Sequence, residues 1–271
     1  MKKFVPWLIA FIITASTAVY QHMTGPTYPV RGKVTLADSV IKYKLARSHA
    51  GKEDHKVSIK TKKRDVSGFV QYKRYKTADD WTPPLRMSRK KDSLVAKLPH
   101  QPPAGKLEYK VILHYQEKEI SLTGEKSVII RFRGKVTWLI LGPHVAIMLL
   151  AMLLSNRAGI EAVRSKGNPR RYTLWVVGLL FVGGLILGPL VQKFAFGVFW
   201  TGFPLGHDLT DSKTLIALLG WIVAAIAGRA RRQTRWWVLG AAILLLVVYL
   251  IPHSLLGSEL DYSKMSPSSF K

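Results

Sequence analysis

Three imidazoles stand out among the side chains that could do chemistry. His144 lies inside the apolar run WLILGPHVAIMLLAMLL, His207 in GHDLTD, and His253 in IPHSLLGSELDY. With Asp208, Asp211, Glu259 and Asp261 they make up a donor set suited to Zn(II), Cu(II) or Fe. The chain has no cysteine, so any metal it held would need His and carboxylate ligands. No HxxxH or HxxE pair places two ligands on one helical face, so convergence depends on tertiary structure. Structural roles compete for the same residues. Thr210 or Asp211 would cap a helix starting in HDLTDSKT, and His253 with the nearby carboxylates would form a polar collar at an interface. Pro143 frees a carbonyl one turn earlier that could accept the His144 N–H.

The same groups could act as acid and base toward a lipid headgroup or a quinone. Ser254 or Ser258 with His253 and Asp261 supplies the residue types of a hydrolytic triad, but no nucleophile elbow or oxyanion element surrounds them. Gly183, Gly184 and Gly188 lie in an apolar run, where glycine serves packing and not phosphate binding. Enzymatic activity is therefore the lesser expectation.

Four apolar segments must position these residues, at about 136–155, 172–192, 214–228 and 236–252. Most approach the roughly 20 residues that cross a bilayer; the third does so only if it extends back through DSKT. His144 sits roughly 12 Å along the first of them, a depth at which an ionisable group faces the bundle interior. The connections fix an orientation. Arg157, Arg164, Lys166, Arg170 and Arg171 follow the first segment, and Arg229, Arg231, Arg232 and Arg235 follow the third, whereas the loop 193–213 holds only Lys193 and Lys213. Short basic loops stay in the cytoplasm, which puts 193–213 and the C-terminus outside. Trp138, Trp175, Trp200, Trp236 and Trp237 fall near segment ends, as interfacial aromatics do. Small residues at Gly184 and Gly188, and at Gly220, Ala224 and Gly228, would let helices approach closely.

Residues 1–22 have a basic start and an apolar run, the pattern of either a transmembrane anchor or a cleaved signal peptide. From Tyr28 to Arg133 the period changes to two, as in VRGKVTLA, SVIKYKLAR, KVSIKTK, SGFVQYKRY, SLVAKLP, KLEYKVILHY, KEISL and SVIIRFR. Seven or eight short strands of this kind suit an antiparallel sandwich. The stretch LPHQPPAGKLEYKVILHY resembles the corner and following strand of an immunoglobulin-like or fibronectin-like domain, without the Cys and Trp that mark true immunoglobulin domains. The resemblance implies that Tyr109 bonds back to the backbone as a corner tyrosine.

The 271 residues carry 41 Lys plus Arg against 16 Asp plus Glu, a net charge of +25. Residues 24–135 alone hold 26 basic and 11 acidic side chains, a net of +15. The basic residues are spread through strand-like segments with no recognition motif, which argues against a nucleic-acid partner and for a surface facing anionic headgroups or envelope polymers. The fold class expected is an α+β membrane protein. An N-terminal anchor or signal (1–22) precedes a periplasmic immunoglobulin-like β-sandwich (24–135), a four-helix transmembrane domain (136–252) and a periplasmic tail (253–271). Its expected place is a bacterial-type inner membrane, with the bilayer and an envelope protein or anionic lipid as partners and a binding or assembly role. The alternative is a membrane-embedded metal-handling protein or enzyme using the outer His/carboxylate pocket.

Overall fold

A computed structural model describes residues 4–36, 39–164, 167–206, 208–227, 234–252, 257 and 259–264. It has a mixed α+β layout and divides into two units. One joins Met1–Pro26 to Val136–Ser258, and the other joins Thr27–Lys135 to Glu259–Lys271.

The second unit is built from β1 (Val30–Leu36), β2 (Ser39–Leu45), β3 (Ser48–Ala50), β4 (His55–Lys60), β5 (Val66–Arg74), β6 (Leu85–Arg86), β7 (Ser88–Lys90), β8 (Ser93–Leu98), β9 (Lys106–Tyr115), β10 (Lys118–Ser121) and β11 (Val128–Arg133). The eight alternating stretches fold as β1, β2, β4, β5, β8, β9, β10 and β11; the short β3, β6 and β7 complete the sheets. β1 pairs with β2, β4–β8–β7 form a second sheet, and β3–β11–β9–β5–β6, with β10 also on β9, form the third. Alternation explains the layering. Along β9, Leu107, Tyr109, Val111 and Leu113 are buried while the residues between them are partly exposed. Residues from all three sheets share one core, including Leu36 and Ile41, Ile59 and Leu98, and Val70 and Phe132. Each large apolar side chain buried there contributes about 1.5–3 kcal/mol. Tyr109, fully buried, donates its hydroxyl to the carbonyl of Ala46 at 2.9 Å, and burial holds its pKa above the ordinary phenol value.

The first unit is helical: α1 (Phe4–Thr24), α2 (Trp138–Val163), α3 (Arg170–Leu180), a π-helical stretch (Phe181–Leu187) that runs into α4 (Gly188–Phe196), α5 (Leu209–Ala227) and α6 (Thr234–Leu250). Among the described residues, four helices are long and apolar enough to cross a membrane, Phe4–Thr24, Trp138–Val163, Arg170–Phe196 and Leu209–Ala227, and the last apolar helix is shorter. α5 begins at Leu209 and so takes in the DSKT residues. α1 packs within this unit. Asn156 donates to the Thr14 hydroxyl at 3.0 Å, Gln21 donates to the carbonyl of Tyr249 at 2.7 Å, and Trp7 meets Tyr172 edge-on.

The first segment differs from its expected bounds. α2 runs on to Val163, so Arg157 is not a loop cation but a buried one. Its guanidinium stacks near the rings of Trp7 and Tyr172 and pairs with Glu161 at 2.5 Å, and Glu161 also binds Arg164 and the backbone of Asn168. The glycines act as close-approach points. A Cβ on Gly184 would come within 2.6 Å of Thr214 Cγ2, and one on Gly220 within 2.6 Å of Leu244 Cδ2.

Candidate functional site

Two cavities, one in each unit, gather the described members of the expected donor set; His207 and His253, with Ser254 and Ser258, lie outside the described residues. The helical cavity, of about 160 Å³, is lined by His144 and Met148 of α2, Gly184 and Gly188 on either side of the π-helical junction, Gln192 of α4, and Asp208, Thr210, Asp211 and Thr214 at the start of α5. It is the packing of α2 on the π-helical stretch that orients His144. Gly183 lies where a Cβ would strike Met148, and its carbonyl accepts both the Gly188 amide and His144 Nδ1, the latter at 2.9 Å. The π turn thus supplies the acceptor that Pro143 was expected to free one turn earlier on α2 itself. Since a carbonyl only accepts, Nδ1 carries the ring proton and Nε2 keeps its lone pair.

The two aspartates at the mouth of α5 have different roles. Asp208 accepts the amide of Thr210 and so caps the helix, a role expected of Thr210 or Asp211. Asp211, buried, instead turns back on the preceding loop and accepts the amides of Thr201 at 2.8 Å and Gly202 at 3.2 Å. Gln192 donates to the Thr201 hydroxyl and ties the same loop to α4. Lys213, also buried, donates to the carbonyl of Ile251 at 2.5 Å, just beyond the end of α6. His144, Asp208 and Asp211 therefore line one cavity, but the carboxylates are already engaged with backbone amides. Among the described residues, no three His, Asp or Glu side chains gather as a metal-binding group.

The cavity of the β-unit, about 530 Å³, is lined by Arg74, Tyr75, Lys76, Lys106 and the tail residues from Glu259 to Ser263. Here the tail acts as a ligand of the β-unit. Glu259 bridges Lys76 at 2.8 Å and Lys106 at 2.6 Å. Burial pushes its carboxyl pKa up, but the two lysines together outweigh this and hold it below the usual range. Lys76 is raised by the same pairing. Leu260 N–H donates to the carbonyl of Ala104, and the buried Tyr262 hydroxyl accepts from the Lys106 amide at 2.9 Å and meets Gln101 Oε1 at 3.1 Å. The Arg74 guanidinium lies 5.4 Å from the Tyr262 ring centroid and is held by Asp79 through two bonds. Asp261 accepts from the amide and hydroxyl of Ser263.

Sequence reasoning missed this lysine clamp. Hydropathy reads which side of a bilayer the tail reaches, whereas the clamp depends on antiparallel pairing that brings Lys76, just past the end of β5, beside Lys106, at the start of β9. The Glu-Leu-Asp-Tyr sequence, acidic and aromatic in a chain of net charge +25, was the available signal. No family model matches this chain, nor does any curated protein or solved structure.

Proposed function

We propose that this protein is a membrane-tethered binding or assembly protein: an immunoglobulin-like β-sandwich on the outer face of a bacterial-type cytoplasmic membrane that engages an acidic segment of an envelope protein. The lysine clamp carries this reading. Lys76 and Lys106 hold a carboxylate on an extended peptide, with Tyr262 seated beside it, and a partner in trans would offer the same chemistry. The sandwich assignment is supported by the shared core of the three sheets and by the backward bond from Tyr109 to Ala46.

Two arguments support the orientation. Basic residues cluster between α2 and α3 and between α5 and α6. If α2, the helix from α3 to α4, α5 and α6 each cross, four crossings separate the β-unit from the tail that docks on it, and an even number keeps both on one side. The contacts of α1 with Asn156, Tyr172 and Tyr249 favour a retained anchor.

A second reading keeps the helical cavity as a membrane-embedded metal-handling or enzymatic site. The observation in its favour is His144 Nε2, for which no hydrogen-bond partner is seen among the described residues, beside a π-helical turn, a feature frequent at functional sites. His144→Ala separates the two, since a binding protein should keep its partner.

The direct test uses full-length protein in neutral-lipid nanodiscs, with Glu259→Ala to vacate the clamp and a labelled peptide of residues 257–264 as the probe. Saturable binding that weakens with salt and disappears in Lys76→Glu/Lys106→Glu supports the reading. No binding to the vacated clamp at low salt overturns it, and preference for anionic vesicles over the peptide would make the partner lipid. Orientation is tested by single cysteines in intact cells. Ser121→Cys and Ser263→Cys should react with an impermeant thiol reagent while Ser165→Cys and Gln233→Cys stay shielded.

A further inference from the structure

The β-unit contains a histidine cluster that the clamp does not use. The chain leaves β3 in one sheet and enters β4 in another through the turn GKED at 51–54, which brings His49 and His55 ring to ring. Their centroids lie 5.1 Å apart, and Nδ1 of one is 3.2 Å from Nδ1 of the other. His49 packs edge-on against Phe132, as does His100, whose amide donates to Asp54 Oδ1 at 3.0 Å. His100 Nδ1 is buried with no hydrogen-bond partner among the described residues, so this corner holds more imidazole nitrogen than its packing consumes.

The partners determine the tautomers. His49 Nε2 lies 2.7 Å from the carbonyl oxygen of Glu53, which can only accept, so Nε2 carries the proton and Nδ1 presents its lone pair. The contact between the rings is then a single N–H···N bond donated by His55. That proton can move through solvent to His55 Nε2, leaving both rings neutral with two lone pairs facing each other across 3.2 Å, so that a turn of the rings aims both at one ion. Two nitrogens bound at about 2.0–2.1 Å to a tetrahedral ion lie about 3.3 Å apart, close to the spacing already present. The Glu53 carbonyl holds His49 as outer-shell acceptors hold metal-bound imidazoles. Burial, with the neighbouring His49 adding to it, lowers the His55 pKa to about 4, which keeps that ring in its neutral, ligating form.

We propose that His49 and His55 form a two-imidazole site for a borderline transition-metal ion of the Zn(II) or Cu(II) class, bound through both Nδ1 atoms. No third carboxylate or imidazole joins them among the described residues, so water or an incoming donor completes the coordination. This site is independent of the lysine clamp and of the helical cavity.

Calorimetric titration of the purified full-length protein with Zn(II), and separately with Cu(II), tests the site. One saturable ion per chain is expected for the parent and for His144→Ala, with binding weakened by more than about tenfold in His49→Ala and in His55→Ala. Electron paramagnetic resonance of the parent loaded with one equivalent of Cu(II) should show two imidazole nitrogens, a readout that does not depend on a variant folding. Binding by the parent no tighter than by the His49→Ala/His55→Ala double variant overturns the proposal. So does a one-equivalent copper spectrum with fewer than two imidazoles, or an ion lost in His144→Ala and kept in the β-unit variants.

Discussion

The two units treat charge in opposite ways. In the helical unit, Arg157, Glu161, Asp211 and Lys213 are buried, and each has a built-in partner. The guanidinium lies between two rings, Glu161 holds two arginines, Asp211 clasps a loop, and Lys213 binds a carbonyl. In the β-unit, apart from the buried Arg131, the described cations are exposed or partly exposed. Lys73 and Lys110 sit over the Trp81 ring, and Lys76 reaches a carboxylate that the chain supplies only after its last long helix. The difference follows from solvent. A charged side chain in an apolar bundle needs a partner built in, because water cannot take over if the partner is lost. An ionic group in an apolar segment is therefore weaker evidence of function than the same group on a β-surface, where it can exchange partners.

If burial sets the difference, the largest effect belongs to Glu161. Replacing it by alanine leaves Arg157 buried without its carboxylate, a change that costs about 3–5 kcal/mol in a buried pair. Thermal unfolding in detergent should show a marked drop for Glu161→Ala and a much smaller one for Arg157→Met/Glu161→Met. Equal losses in the two variants would mean that the pair is not what holds α2 in place.

A smaller, local effect is expected in the β-unit. Tyr109→Phe removes the bond to Ala46 and should cost about 1 kcal/mol. Guanidinium unfolding followed by the β signal should shift while the helical transition stays. A common shift would mean that the two units unfold together.

The strands with two-residue periodicity were readable in the sequence because half of each is buried, as in β9, and the apolar helices because of their length. Three kinds of feature were not. β3, β6 and β7 have two or three residues each, too few to alternate. The π-helical stretch contains Gly183 and Gly184, which in a linear sequence look the same as any close-packing pair. The lysine clamp depends on strand order, since Lys76 and Lys106 meet only once β5 pairs with β9, and the His49–His55 pair depends on the turn at 51–54 that carries the chain from one sheet into another. His144 was legible as inward-facing from depth alone, but its acceptor, the Gly183 carbonyl, lies 39 residues away.

Acid should act on the β-unit through His55. Its folded pKa is lowered to about 4 from an ordinary value near 6.5, so the unfolded chain takes up this proton first as pH falls. The stability is fully present above about pH 6.5 and declines as pH drops toward 4. Partial exposure of the ring moderates the loss. The Tm of the β transition measured between pH 7 and pH 4 should fall, and His55→Gln should flatten that slope. An unchanged slope in the variant would assign the acid sensitivity to other groups.

The smallest stability effect belongs to the clamp, and it separates surface charge from buried charge most directly. The Glu259 side chain is 38% exposed, that of Lys76 61% and that of Lys106 17%, so water and salt screen the first ion pair and, through Glu259, part of the second, and Glu259→Gln should cost about 1 kcal/mol. Its local consequence is larger than its global one. The Leu260 amide, bonded to Ala104, and the Lys106 amide, bonded to the Tyr262 hydroxyl, are protected only while the tail stays docked. Both should exchange with deuterium faster in Glu259→Gln, and faster in the parent at high salt, with the Tm nearly unchanged. The lysines hold the folded carboxyl pKa below its usual value, so the docking energy is present above the ordinary carboxylate range and is lost as pH falls through that lowered value. Amides that remain equally protected in the variant would show that Tyr262 and the backbone bond hold the tail without the ion pair, and would remove the clamp as the reason for the tail's return to the β-unit.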